Sequence, residues 1–196
     1  AGEDMSDRLD PRPARDATAV AIAEVEAQHT GGQLPGEAFT PEPRLQVVEL
    51  YTWTGGKHHD LYARMVDILR NVWNCRRIVV DATGIGEPVA SFLVKTLGSR
   101  VRPFKFTQQS KSALGFNLLA AINSGRLKLF QGDGSADYQQ ALRQLEKARV
   151  SYRPNQTMNF YVDPAQGHDD FLMSLALLVE AANQYTPRGA RGNLQN

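Results

Sequence analysis

Three aspartates occupy positions from which a folded chain could bring them to one edge. Asp4 lies in or at the end of a first strand, Asp81 closes the apolar run Ile78-Val79-Val80, and Asp170 falls in the first turn of a helix predicted over Asp169–Gln184. Taken singly, an aspartate at a strand end is a turn former, and one at a helix start is a cap or dipole partner. Taken together, converging carboxylates repel one another, and such a cluster is tolerated mainly when a divalent cation neutralises it. Hard oxygen donors, with no cysteine and little histidine among them, favour Mg²⁺ or Mn²⁺ over Zn²⁺. Two such ions about 3.5–4 Å apart can activate water and steady the leaving oxygen in phosphodiester hydrolysis. In that scheme Asp4 bridges the ions, Asp81 and Asp170 each complete one coordination shell, and in-line attack leaves a 3′-hydroxyl.

Other residues could assist. Thr83-Gly84-Ile85-Gly86 follows a strand and precedes a helix. Such a turn can cradle phosphate on backbone N–H groups, or it can simply be tight enough to keep Asp81 exposed at a sheet edge. Lys111 could touch a DNA phosphate or temper charge near the metals, and equally could be a solvated lysine. Basic residues gather at Arg100, Arg102, Lys105 and Lys111, and again at Arg143, Lys147, Arg149 and Arg153. These segments either face a phosphate backbone or form solvated faces.

The elements that must place these groups follow from periodicity. Ala17–Val25 reads as a strand, preceded by an irregular loop and the strand of Asp4. Residues 26–44 are rich in Gly, Pro, Thr and Glu without periodicity and read as a surface excursion. Leu45–Trp53 alternates as a third strand. His59–Trp73 has helical apolar spacing, and Arg77–Asp81 reads as a strand covered on both faces. Helices are predicted over Glu87–Leu97, Ser110–Ser124 (with Gly125 as a C-terminal cap) and Ala136–Lys147, and strands over Val101–Phe106 and Arg126–Phe130. Ala148–Tyr152 and Met158–Val162 read as a hairpin, and residues 186–196 as a disordered tail. Early strands followed by strand–helix alternation predict an α/β fold with a mixed sheet, its first three strands antiparallel and the later ones parallel, flanked by helices on both faces.

The formal charge of +1 on 196 residues excludes a global basic field, so any nucleic-acid contact must be local. A single cysteine, Cys75, excludes an intramolecular disulfide framework and reads as a packing residue in a reducing compartment. No apolar run approaches the roughly 18 residues of a membrane span, and no signal core is present, so no membrane partner is expected and a cytoplasmic location is. The abrupt opening Ala1-Gly2-Glu3-Asp4, without Met, reads as the start of a fragment.

Gly2-Glu3-Asp4 with Asp16-Ala-Thr-Ala-Val20, Val79-Val-Asp-Ala-Thr-Gly-Ile-Gly86 and Gly167-His-Asp-Asp-Phe-Leu-Met-Ser-Leu-Ala-Leu177, in this order, resemble the nuclease domain of tailed-bacteriophage terminase large subunits. Phe106, Ser110-Lys111 and Ile122-Asn-Ser-Gly-Arg-Leu-Lys128 resemble the stretch between the later acidic motifs of that family. The resemblance covers nearly all of residues 1–185. It implies an RNase H-like fold, a two-metal site, and endonucleolytic cleavage of concatemeric double-stranded viral DNA during genome packaging. It puts the last acidic ligand at Asp170, with Asp169 as a further candidate for metal binding or water positioning. His168 falls near the phosphate or behind the ligands, or is a surface residue at a helix start. In such proteins an N-terminal ATPase domain, a portal protein and a small terminase subunit are partners. The phosphate loop of that ATPase, Gly-x-x-x-x-Gly-Lys followed by Ser or Thr, is missing from this sequence, so this chain alone is not expected to hydrolyse ATP.

The residues leave other readings open. A junction resolvase or another RNase H-like nuclease would share the carboxylates and prefer four-way junctions. An actin- or sugar-kinase-like domain would bind ATP and cleave nothing. An interaction module would dock to DNA or a portal with its carboxylates purely structural.

Overall fold

The computed structural model describes residues 17–26, 42–55 and 58–183. The strand expected around Asp4, most of the 26–44 excursion and the 186–196 tail lie outside them.

Strands β1 (Ala17–Glu26) and β2 (Arg44–Thr54) pair antiparallel. Along β1 the side chains alternate between two cores: Ala19, Ala21, Ala23 and Val25 meet one, Val20 and Ile22 the other. The register shifts between Ile22, opposite Glu49, and Ala23, opposite Val47, so Val48 is an extra residue on β2. This bulge reverses the parity of the strand. Leu45 and Val47 before it and Leu50 after it therefore face the same core, which the simple alternation expected of Leu45–Trp53 would not allow. The short β5 (Leu127–Lys128) adds parallel to β2, making this a mixed sheet. It stops short of the predicted Phe130 because the side-chain amide of Gln46, rather than the β2 backbone, meets the Leu129 carbonyl at 3.2 Å.

Strands β3 (Ile78–Asp81) and β4 (Val101–Phe104) run parallel, joined by α2 (Glu87–Leu97). β4 ends before the predicted Phe106 because the Phe106 N–H turns to the Thr83 hydroxyl (2.8 Å). The helix predicted over His59–Trp73 is α1 (His58–Asp67) continued by a π-helical turn over Ile68–Val72. Asn74, at φ +46°, ends it in a left-handed conformation that asparagine tolerates better than most residues. The remaining elements are α3 (Gln108–Asn123), α4 (Ala136–Lys147), the hairpin β6 (Ala148–Tyr152) and β7 (Met158–Val162), and α5 (Asp170–Asn183). A reciprocal Thr107–Ser110 capping box starts α3 ahead of its predicted start, and Gly125 at φ +66° follows its end.

Helices cover both faces of the strands, as expected. One core joins α3, α4, α5 and β7 to β1 and β2; the other joins α1, its π turn and α2 to β1, β3 and β4. Among the described residues the hydrogen-bonded ladders are β1-β2-β5, β3-β4 and β6-β7, with no ladder joining β1 to β3.

Gly115 sets how closely α3 approaches β7. A Cβ there would stand 2.6 Å from a Phe160 ring carbon and 2.8 Å from the Met158 sulfur. Glycine in a helix interior costs about 0.5–1 kcal/mol relative to alanine, yet here the overpacking outweighs that gain. Gly115→Ala is expected to destabilise the domain by about 1–3 kcal/mol, read as a lower urea midpoint at unchanged m-value.

Candidate active site

The ladder of β3 continues one residue past Asp81, where the Ala82 N–H donates to Phe104 O at 2.8 Å, and then the chain turns sharply. The Thr83 N–H donates to Asp81 Oδ1 at 2.7 Å, and the Thr83 hydroxyl accepts from the Phe106 N–H. Gly84 takes φ +53°, and Gly86 packs so closely that a Cβ would lie 2.5 Å from the Asp81 carbonyl oxygen. Thr83, Gly84 and Gly86 thus give the turn its shape. Oδ1 of Asp81 accepts one hydrogen bond in this turn, which leaves most of the carboxylate's acceptor capacity for a cation.

Asp169 and Asp170 sit where the loop after β7 becomes α5. That loop turns on Asp163, whose carboxylate accepts from the Ala165 N–H and whose carbonyl accepts from the Gln166 N–H. Gly167 at φ +139° then reverses the chain, in a conformation few other residues reach. Helical hydrogen bonding begins with Met173 N–H to Asp169 O at 2.9 Å. Two of the helix-start amides, Phe171 N–H and Leu172 N–H, donate to Oε1 of Gln144 at 2.7 and 3.1 Å. Both aspartates are half-buried, and one Asp170 oxygen is enclosed by protein.

Asp81, Asp169 and Asp170 line one cavity of about 1390 Å³. Its walls include all of β1 and residues 74–81 leading into and along β3. β1 and β3 each have a strand neighbour on one side only among the described residues, so the cavity lies between two open strand edges. Met173, Ser174, Leu177 and Leu178 of α5 line it too.

The remaining predicted residues are placed separately. His168 lines a smaller cavity of about 230 Å³ with Arg143, Gln144 and Lys147 of α4. Half-buried Lys111 holds its Nζ 5.5 Å from the centre of the Phe160 ring. Burial pushes its pKa down, the negative charge of Asp169 opposes that, and Arg153 adds to it. Lys111 is therefore within electrostatic reach of both Asp169 and Arg153. Burial pushes the Cys75 thiol up, which disfavours the thiolate and agrees with a packing role. Asp4 lies outside the described residues. Among those residues, no group of three or more His, Cys, Asp or Glu side chains is drawn together tightly enough to hold a metal ion.

Gln144 escaped the sequence reading. Its one signal was position: a polar residue three places after Ala141, on the buried face of an amphipathic helix.

The sequence profile of the Terminase RNaseH-like domain matches residues 40–182. This chain belongs to that terminase family. The folds agree: the large terminase nuclease of thermophilic phage G20c is 20% identical with a TM-score of 0.56, covering 87% of this chain and 84% of that one. The same G20c nuclease with bound magnesium gives 21% identity and a TM-score of 0.56 over 89% of this chain and 84% of that one. The nuclease domain of the large terminase from Thermus phage P74-26 gives 16% and 0.53 over 90% and 85%. Among curated proteins none matches the chain. The terminase RNase H-like fold accounts for helices on both faces of a mixed sheet. Family membership separates this domain from the actin- or sugar-kinase-like alternative.

In this terminase domain the Asp81 turn has no room for a methyl group at Gly86. Gly86→Ala must displace the Asp81 carbonyl or the start of α2. The expected cost is about 1–3 kcal/mol by urea denaturation, with faster amide exchange at Thr83 as the local signature.

Proposed function

We propose that this domain is a metal-dependent endonuclease that hydrolyses phosphodiester bonds of double-stranded DNA through Asp4, Asp81 and Asp170, with Asp169 as an accessory ligand or water-positioning group. The observation that carries the reading is that Asp81 and the Asp169-Asp170 pair, from distant parts of the chain, line one cavity. The donors suit a hard cation. Asp81 offers its carboxylate, Asp170 is held at the start of a buried helix, and the imidazole of His168 lines a different cavity. The G20c nuclease was solved with magnesium, which makes Mg²⁺ the first ion to test, with Mn²⁺ beside it. When bound, two such ions supply an activated water and stabilise the leaving oxygen.

The place of Asp4 is part of the proposal. Residues 1–16 lead directly into β1, one wall of the cavity, and a strand edge left open among the described residues needs a partner for its N–H and C=O groups. A strand ending at Asp4 would meet that need and bring a third carboxylate beside Asp81. The substrate would be concatemeric viral DNA in the host cytoplasm, presented by an N-terminal ATPase domain, a portal protein and a small terminase subunit. No helix among the described residues is long and apolar enough to cross a membrane.

Plasmid cleavage tests the reading. With Mg²⁺ or Mn²⁺ the chain is expected to nick and linearise supercoiled DNA, and EDTA to stop it. Removing groups behind metal ligands costs about 10–100-fold, so Asp81→Asn and Asp170→Asn, which remove proposed direct ligands, should cost at least about 100-fold. Unchanged cleavage by Asp81→Asn would overturn the site. Lys111 is proposed as a phosphate contact: Lys111→Met should weaken DNA binding at low salt and reduce the slope of log K against log salt by about 1.

A further inference from the structure

We infer that Gln144 is a positioning residue for the proposed metal site: its Oε1 ties down the backbone that carries Asp169 and Asp170. The inference rests on the nuclease reading. Phe171 directly follows Asp170, so the hydrogen bond from Phe171 N–H to Oε1 fixes the peptide unit on the C-terminal side of that aspartate. Leu172 N–H shares the same oxygen, and Met173 N–H closes on Asp169 O. The backbone of both aspartates is thereby fixed by contacts that use none of their carboxylate oxygens.

The side chain serves this purpose and little else. Gln144 is 5% exposed, and its Nε2 is buried without a hydrogen bond. An unpaired buried amide costs stability, and methionine would fill similar space without that cost. What glutamine offers over methionine here is the acceptor oxygen.

The helix that presents Gln144 is braced at both ends. At its start, Asp137 accepts from the Thr52 hydroxyl at 2.9 Å and from the Thr52 N–H at 3.3 Å, pinning α4 to β2. At its end, Lys147 Nζ donates to the Gln166 carbonyl at 3.1 Å, holding the loop that leads to Asp169. α4 is thus a strut between β2 and the start of α5, and Gln144 is its contact with the site.

Residues that orient metal ligands from behind typically change metal affinity by about 10–100-fold when removed. The test uses the whole chain and Mn²⁺ alone, with affinity read by calorimetry and stability by thermal unfolding. Gln144→Met should remain folded and bind Mn²⁺ at least about tenfold more weakly, with a matching rise in the Mn²⁺ concentration for half-maximal plasmid cleavage. Gln144→Glu, which keeps the acceptor oxygen, should stay within a few-fold of the unsubstituted chain. Leu97→Ala, in the core of α1 and α2 to which no α5 residue contributes, should lose thermal stability without losing Mn²⁺ affinity. If Gln144→Met does not fold, Gln144→Asn, too short to reach both amides, carries the same expectation. Should Gln144→Met or Gln144→Asn fold and bind Mn²⁺ as the unsubstituted chain does, the inference is overturned while the nuclease reading stands. An unsubstituted chain that neither binds Mn²⁺ nor cleaves DNA would overturn the reading and the inference with it.

Discussion

Burial of α5 across β1 and β3 is the contact on which the arrangement of the site depends. Phe171, Leu175, Ala176 and Val179 are fully enclosed, Leu172 and Ala182 nearly so, and they pack into the same core as Leu45, Val47 and Leu50 of β2. Fully burying one large aliphatic or aromatic side chain is worth about 1.5–3 kcal/mol, so α5 cannot slide or rotate without losing several such terms together. A carboxylate on its first turn inherits that rigidity. Asp81 is fixed differently, by a short strand in a parallel ladder and a turn that engages one of its own oxygens. Asp170 is held by the packing of α5 and the Gln144 hydrogen bonds at its start, and Asp81 by its ladder and turn, all contacts made by the protein itself.

Those protein contacts bear on how the carboxylate cluster of the proposed site could coexist with a stable fold. If cation binding alone drew the carboxylates together, the apo domain would have to pay for their repulsion in full. Here the placing forces are apolar burial and backbone hydrogen bonds, which do not depend on carboxylate ionisation. Asp169 lies within electrostatic reach of the positive charge of Lys111. The lowered pKa of Lys111 shows the balance: burial weakens the ammonium, and the nearby aspartate partly restores it. On the proposed reading, lysine and cation offset the same negative potential from different sides.

Much of this organisation was legible because local rules and tertiary needs agree. The predicted bounds of α2 and α4 match the observed ones, each helix having an amphipathic stripe and clear punctuation, Pro88 in the first turn of α2 and Ser135 capping α4. The β6–β7 hairpin was legible from two apolar runs about a turn-rich stretch. Non-local features were not. The bulge at Val48 reconciles β2 with two cores at once, and alternation within a single strand carries no trace of that demand. The π turn after Asp67 depends on where Leu69 and Trp73 must pack, and β4 ends early because of a hydroxyl from another loop. The site divided in the same way. Asp81, Asp169 and Asp170 stood at element boundaries where periodicity breaks, whereas Gln144 was one polar residue in an otherwise ordinary helix and acquired its role only when α4 met α5.

The charge distribution completes the picture of how such a domain can act on DNA. With a formal charge of +1 it lacks the long-range field that concentrates a polyanion, and its proposed chemistry requires carboxylates that repel phosphate. On the proposed reading, two local features can reverse the sign at the point of attack: divalent cations on the aspartates, and Lys111, which is within electrostatic reach of Asp169. A nuclease built this way engages a phosphate only where cations and lysine act together. On the proposed reading, a formal charge of +1 gives it little long-range attraction for the rest of the duplex. Weak grip elsewhere is compatible with DNA moving past the site between cuts, provided the substrate is held by something other than this domain.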